Sequence, residues 1–128
     1  MMIDPKIRIS DQVFVFLELQ GEQWAARREV VQRMSMALSE ACEIVIDHGL
    51  AKGPVTVVAS FDEYNLDAEV SYEGDPLPLP NKRPSEEEIL SDPSAVIRLG
   101  GYLIRGHADT VSSVASGSGA VLKIHMEH

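Results

Sequence analysis

Hydrophobic and polar positions divide the chain into stretches of different period. Lys6–Ser10 alternates, with Ile7 and Ile9 on one face, and Ser10-Asp11-Gln12 is turn-like. Val13–Leu19 then sets Val13, Val15, Leu17 and Leu19 opposite Phe14, Phe16 and Glu18. This is the period-two pattern of a strand, so the N-terminus is expected to form a hairpin or a pair of short strands. Gly21–Gly49 has no proline and no interior glycine, and its period changes. One apolar row runs Val31, Met34, Leu38, Cys42 and Val45; the adjacent row runs Val30, Met34, Ala37, Ala41 and Ile44. Two neighbouring rows predict one long helix that buries a wide arc on a sheet. His48 near its end supplies a favourable charge and Gly49 just past it a C-cap. Arg27, Arg28 and Arg33 are expected on its solvated face.

Pro54–Phe61 alternates Val55, Val57, Ala59 and Phe61 against Thr56, Val58 and Ser60. After the turn Asp62-Glu63-Tyr64-Asn65, Leu66, Ala68, Val70 and Tyr72 share one face, and Asp67, Glu69 and Ser71 the other. An antiparallel hairpin with one buried and one wet face follows, and Tyr72 points with the core residues. Glu73–Pro84 holds four of the seven prolines, which fix φ and remove donors, so it is expected as an extended loop. Ser85 with Glu88 forms a capping box for a short helix through Leu90. Asp92 as N-cap and Pro93 at the first helical position start another helix, which runs towards Ala108. Gly100 and Gly101 fall inside it, each at a cost of roughly 1 kcal/mol relative to alanine. Such a pair calls for close packing, a break, or backbone N–H groups offered to an anion. Thr110–Ser116 and Ala120–Glu127 form a last hairpin around Gly117-Ser118-Gly119. The expected order is ββ–α–ββ–(short α)–α–ββ. That is α+β: a two-layer sandwich of a mixed, mostly antiparallel sheet with helices on one face.

Composition narrows the function. At 128 residues the chain is expected to be one domain, with 45% hydrophobic residues enough for a core. Acidic residues number 20 against 11 basic, a net charge of −9, which argues against nucleic acid or an anionic membrane surface as partner. The lone Cys42 excludes an internal disulfide and suits a reducing, cytoplasmic compartment. No apolar run approaches the roughly 20 residues of a membrane helix, so no direct membrane insertion is expected. The N-terminus carries no signal-peptide pattern. The doubled methionine there is what a piece of a longer protein could show.

Certain residues carry a resemblance. Glu40-Ala41 after Leu38-Ser39, the helix end His48-Gly49, a strand entering Tyr72-Glu73-Gly74, Leu103-Ile104-Arg105 with Ala108-Asp109, and the closing Gly119-Ala120-Val121-Leu122 follow in that order. The succession resembles the ATP-binding fold of histidine kinases, gyrase, Hsp90 and the anti-sigma-factor serine kinases, the last being nearest among those enzymes. A more particular likeness lies in Trp24–Val30, Gly53-Pro54, Phe61–Leu66 and Arg83-Pro84-Ser85. These are similar to the cytoplasmic domain fused C-terminally to some bacterial xanthine/uracil permeases. That likeness implies a fragment of a longer transporter, with the membrane-spanning portion or another protein as partner.

The resemblance implies a helix glutamate that activates water and, four residues on, an asparagine that holds Mg²⁺. Glu40 matches the glutamate, but Ile44 stands in the asparagine's place, and a hydrocarbon cannot ligate a hard cation. Glu43 is turned about 100° away from that position; Asp47 lies one turn later. The adenine-binding Asp-x-Gly becomes Tyr72-Glu73-Gly74, whose tyrosine is expected to fill the adenine's volume. Of the nucleotide-binding glycines, Gly74, Gly100 and Gly101 remain, and a rigid Pro76–Pro84 segment replaces the lid. The expected reading is a non-catalytic regulatory domain with no metal and no nucleotide cofactor, Glu40 being vestigial. The alternatives are an ATP-binding protein or anti-sigma-type serine kinase using Glu40, and a purine sensor beside Tyr72. A homodimer, and Phe14 and Phe16 as a partner surface, stay open.

Overall fold

The computed structural model describes residues 1–128. In chain order they form α1 (Ile9–Trp24), α2 (Arg28–Asp47), β1 (Thr56–Asp62), β2 (Asn65–Glu73), α3 (Glu86–Ser91), α4 (Pro93–His107), β3 (Thr110–Ser116) and β4 (Gly119–Glu127). The expected N-terminal hairpin is a helix instead, and the order becomes αα–ββ–αα–ββ. Six of the seven residues from Val13 to Leu19 are apolar, so the stretch fits either period. What decides is the stripe Ile9, Val13, Leu17 and Gly21, spaced by four and buried against α2. Val15 and Leu19, which alternation would have buried with Val13, are 56% and 58% exposed. Phe14 and Phe16 accordingly sit on a helix and not on a strand face.

The expected helix over Gly21–Gly49 is two helices. α1 ends at Ala25, whose φ of 53° is left-handed and whose N–H returns to the Glu22 carbonyl at 3.2 Å. A non-glycine residue there costs roughly 1–2 kcal/mol. Tertiary contacts offset it: Trp24 stacks on Phe61 of β1 at 5.6 Å between ring centroids. Beside the break α1 crosses close to α2, where a Cβ on Gly21 would stand 2.9 Å from Val31 Cγ2. α2 then runs to the expected cap, with the His48 N–H on the Ile44 carbonyl at 3.0 Å and Gly49 at φ 72°. Arg28 is exposed as expected. Arg33 is not merely solvated: its guanidinium donates to the His107 carbonyl at 2.9 Å and reaches Asp109 at 3.5 Å. Arg27 likewise bonds the chain end, its backbone N–H to His128 Nε2 at 2.7 Å.

The sheet has the order β1-β2-β4-β3 and is antiparallel throughout; the expected mixture contains no parallel pair. Register aligns the alternating apolar residues into inward rows: Val57–Val70–Leu122–Ser113, Ala59–Ala68–Ile124–Val111, and Phe61–Leu66–Met126. α2 lies over the two central strands, α1 beside it towards β1 and α4 beside it towards β3. Helices therefore cover one face, as the two-layer expectation has it. The other face carries cross-strand pairs, His125 Nδ1 with Asp67 at 2.7 Å and Lys123 with Glu69 at 3.9 Å, each joining β4 to β2. Ser85 caps α3 through the Glu88 N–H at 3.1 Å, and Asp92 caps α4 through the Ser94 N–H at 3.0 Å. Cys42 is buried as a free thiol, and burial pushes its pKa up to about 12, so it stays protonated. No helix is long and apolar enough to cross a membrane.

Candidate functional site

α2 presents Glu40 and Ile44 one turn apart towards α4, because residues four apart share a helix face. Between the helices lies a cleft of about 170 Å³, bordered by Glu40, Glu43, Ile44, Asp47 and His48 from α2 and by Val96, Leu99, Gly100 and Leu103 from α4. Cavities that enclose a small-molecule ligand run to about 300–1,000 Å³. What narrows this one is a single contact: Ile44 Cδ1 rests on Gly100, where a Cβ would overlap it. Glu40 borders the same glycine, with Oε1 3.4 Å from the position a Cβ would take. Burial pushes the Glu40 carboxyl above its ordinary value; the nearby Glu43 charge adds to the rise, and His107 opposes it. None of the chain's ion pairs includes Glu40. No group of three or more His, Cys, Asp or Glu side chains is arranged to hold a metal ion. Glu40, Glu43 and Asp47 border one cleft without converging.

Gly100 and Gly101 sit in the unbroken interior of α4, so their N–H groups belong to the helical ladder and form no turn. Gly101 faces away from the cleft, towards the proline-rich segment, where a Cβ would overlap the Pro78 carbonyl oxygen. That segment is strapped down. Leu77 is 1% exposed, and Arg105 Nε donates to the Leu79 carbonyl at 2.7 Å. Tyr72 anchors its start: the ring is 5% exposed and the hydroxyl donates to the Asp75 carbonyl at 2.7 Å. Burial pushes the tyrosine pKa up to about 12. Gly74 takes φ 141° and lies against the Leu50 carbonyl oxygen, its N–H on the Ser118 carbonyl at 3.1 Å. Thus Glu40, Ile44 and Gly100 come together, while Tyr72, Gly74 and Gly101 stand outside the cleft. All three glycines serve close packing.

A scan of protein-family models finds no match, and no curated protein matches. Solved structures do: the catalytic domain of histidine kinase ThkA, in a nucleotide-free form, superposes with a TM-score of 0.53 at 14% identity. The superposition covers 99% of this chain and 95% of that one. The chain has the histidine-kinase ATP-binding fold. The likeness runs over the whole chain, α1 included, whereas the motif order in the sequence starts only near Ala37. Sequence reasoning missed two residues of this region, Arg33 and His107, which together tie α2 to the end of α4. A clue was present, since Arg33 lies seven residues before Glu40 on the same helix face.

Proposed function

We propose that the chain is a non-catalytic regulatory or interaction domain built on the histidine-kinase ATP-binding fold. It works as the cytoplasmic domain of a bacterial xanthine/uracil permease, joined to the membrane-spanning portion or bound to another protein. The observation that carries the non-catalytic half is Ile44 seated on Gly100, a hydrocarbon where the resemblance calls for a metal-holding amide. Phosphoryl transfer depends on positioning and on metal neutralisation of charge. A chain whose Mg²⁺ position is apolar, and whose Tyr72 is packed into the core, keeps neither contact. The permease half rests on the Trp24–Val30, Gly53-Pro54, Phe61–Leu66 and Arg83-Pro84-Ser85 likeness.

Calorimetric titration with ATP, with and without Mg²⁺, tests the first half; no heat at millimolar nucleotide is expected. A serine-kinase reading draws on one observation, the raised carboxyl of Glu40, as a general base requires. Saturable Mg²⁺-dependent heat together with phosphoryl transfer lost in Glu40→Gln would establish that reading instead. Melting the protein with xanthine, uracil and urate is expected to leave the midpoint unchanged; a rise would turn the role into purine sensing. For the second half, the DNA before the Met2 codon is expected to encode hydrophobic spans in frame. A stop codon there sinks the fusion.

A further inference from the structure

The break between α1 and α2 opposes the local sequence on both sides of it. Ala25 is held left-handed at φ 53°, a conformation that favours glycine. α2 begins at Arg27 and Arg28 with no side chain capping it, and α1 ends with Glu22 and no basic group in its last turn. Basic residues at a helix N-terminus and an acid at a C-terminus both oppose the helix dipole; only Glu29 has the favourable sign. From Glu22 to Gln32 no glycine, proline, serine or asparagine stands in the way of a helix. What holds the bend is tertiary. Phe61 of β1 stacks on Trp24 at 5.6 Å and takes the His128 ring edge-on at 4.8 Å. His128 Nε2 accepts from the Arg27 N–H at 2.7 Å, and its carbonyl accepts from the Arg27 guanidinium at 3.1 Å.

We infer that α1 is an exchangeable arm through which two copies dimerise: the break straightens into one continuous helix, and each copy seats its α1 on α2 of the other. The phase of the two helices carries this. α1 buries Val13, Leu17 and Gly21. On α2 the face it meets starts at Val31, packed on Gly21, and continues by helical spacing through the buried Ser35 and Ser39. The two sets are eighteen residues apart, Val13 to Val31, Leu17 to Ser35 and Gly21 to Ser39, which is about five whole turns. On an unbroken helix all six residues form one line, and two such helices crossing antiparallel bury that line against itself. Gly21 then meets Val31 of the second copy, which sets the two-fold axis beside Ala26, where Ala25 and Ala26 are small enough for a close crossing. The seat that α1 leaves fits α1, and a second copy brings an identical one. The N-terminal segment moves with the arm: the bonds of Ile3 N–H to the Val55 carbonyl at 2.8 Å and of Val57 N–H to the Met1 carbonyl at 2.7 Å are remade on β1 of the second copy. The arm keeps its buried contacts and loses the strained turn and two misplaced helix ends; the clasp at Trp24 and Arg27 is given up. The exchange does not depend on the role proposed above.

Sedimentation over a range of concentrations, after refolding from denaturant at high protein concentration, tests it, and a dimer is expected. Ala25→Gly, at ease in the left-handed turn and poor in a helix, is expected to weaken that dimer roughly tenfold or more. Ala25→Val, strained in the turn, is expected to strengthen it by a similar factor. Should Ala25→Val not fold, Ala25→Gly against wild type carries the same comparison, since the fold already holds that residue in glycine's conformation. Exchange is read separately from dimerisation. A Cβ on Gly21 would lie 3.7 Å from Val31 Cβ, a separation that a disulfide spans. In Gly21→Cys with Val31→Cys the monomer closes this disulfide within one chain, whereas the dimer fraction is expected to oxidise to a covalent dimer on a denaturing gel. The only other thiol, Cys42, is buried. A dimer fraction that oxidises to single chains consists of unopened copies and overturns the inference. So does a wild type that stays monomeric after such refolding, or a dimer no weaker in Ala25→Gly than in wild type.

Discussion

At the Glu40 end of α4 a side chain does the filling, Ile44 of α2 resting on Gly100. At the Tyr72 end main chain does it: the Pro78 carbonyl lies on Gly101, and Leu77 beside it is sunk in the core. Both faces of α4 use a glycine, and the two are adjacent in sequence. They differ in how much each neighbour can give. An isoleucine terminus can change rotamer, whereas a backbone carbonyl held between Tyr72 and Arg105 moves only with the whole strap. They differ in charge as well. The Ile44 end keeps a half-buried carboxylate on its rim, and the strap end has its buried hydroxyl bonded. The strap end is therefore the more rigid closure, and the Glu40 end the one that substitution could open.

The comparison can be broken most forcefully at Leu77. Leu77→Ala is expected to cost about 3–4 kcal/mol by chemical denaturation, the upper half of the range for emptying a core leucine site. A cost below about 1 kcal/mol would show the strap to be loosely held. Ile44→Asn tests the other end, with an expected loss of about 2–3 kcal/mol from lost burial and an unpaired amide. If it instead restored Mg²⁺-dependent ATP binding at little cost, the apolar plug would be the whole difference from a functional site. The two glycines sharpen the contrast: Gly101→Ala is expected to cost about 2 kcal/mol and Gly100→Ala about 1. In an Ile44→Val background the second penalty should largely vanish and the first should persist, a coupling that a double-mutant cycle reads directly.

Smaller effects follow at the polar groups. Tyr72→Phe removes the hydrogen bond to the Asp75 carbonyl and leaves the ring, for about 1 kcal/mol. At Glu40 the sign reverses. Its folded pKa lies above the unfolded one, so ionisation is disfavoured in the fold. The group is neutral to stability below the unfolded value and turns destabilising as pH rises through the folded value. Glu40→Gln is thus expected to be silent in acid and to stabilise by a few tenths of a kcal/mol at neutral pH, solvent screening keeping it small. Thermal unfolding at the two pH values measures it; a loss of stability at neutral pH would assign Glu40 a structural bond that the structure lacks.

The legible parts of the fold are those where one period excludes the other. Both hairpins, the caps Ser85 and Asp92, and the end of α2 at His48-Gly49 follow from alternation and from residues with a single backbone role. The stretch Val13–Leu19 was illegible because apolar residues at six of seven positions satisfy either period. The break between α1 and α2 carried no signal either: Ala25 goes left-handed under tertiary contacts, where a glycine would have announced it. In the candidate site, the identity of Ile44 against Glu40 was readable from spacing alone. The use of Gly74, Gly100 and Gly101 was not. A glycine states that something comes close, and only the packed structure states what.

By itself, then, the sequence determined the local chemistry: the hairpins β1–β2 and β3–β4, where α3 and α4 are capped, and that the residue four beyond Glu40 is a hydrocarbon. Tertiary structure decided the rest, because the deciding forces act between residues distant in the chain. It made α1 a helix by offering α2 as the surface for its four-spaced stripe. It left the sheet wholly antiparallel with β3 as a bare edge. It brought Ile44 onto Gly100 and Pro78 onto Gly101, contacts between helices and loops that no local spacing encodes.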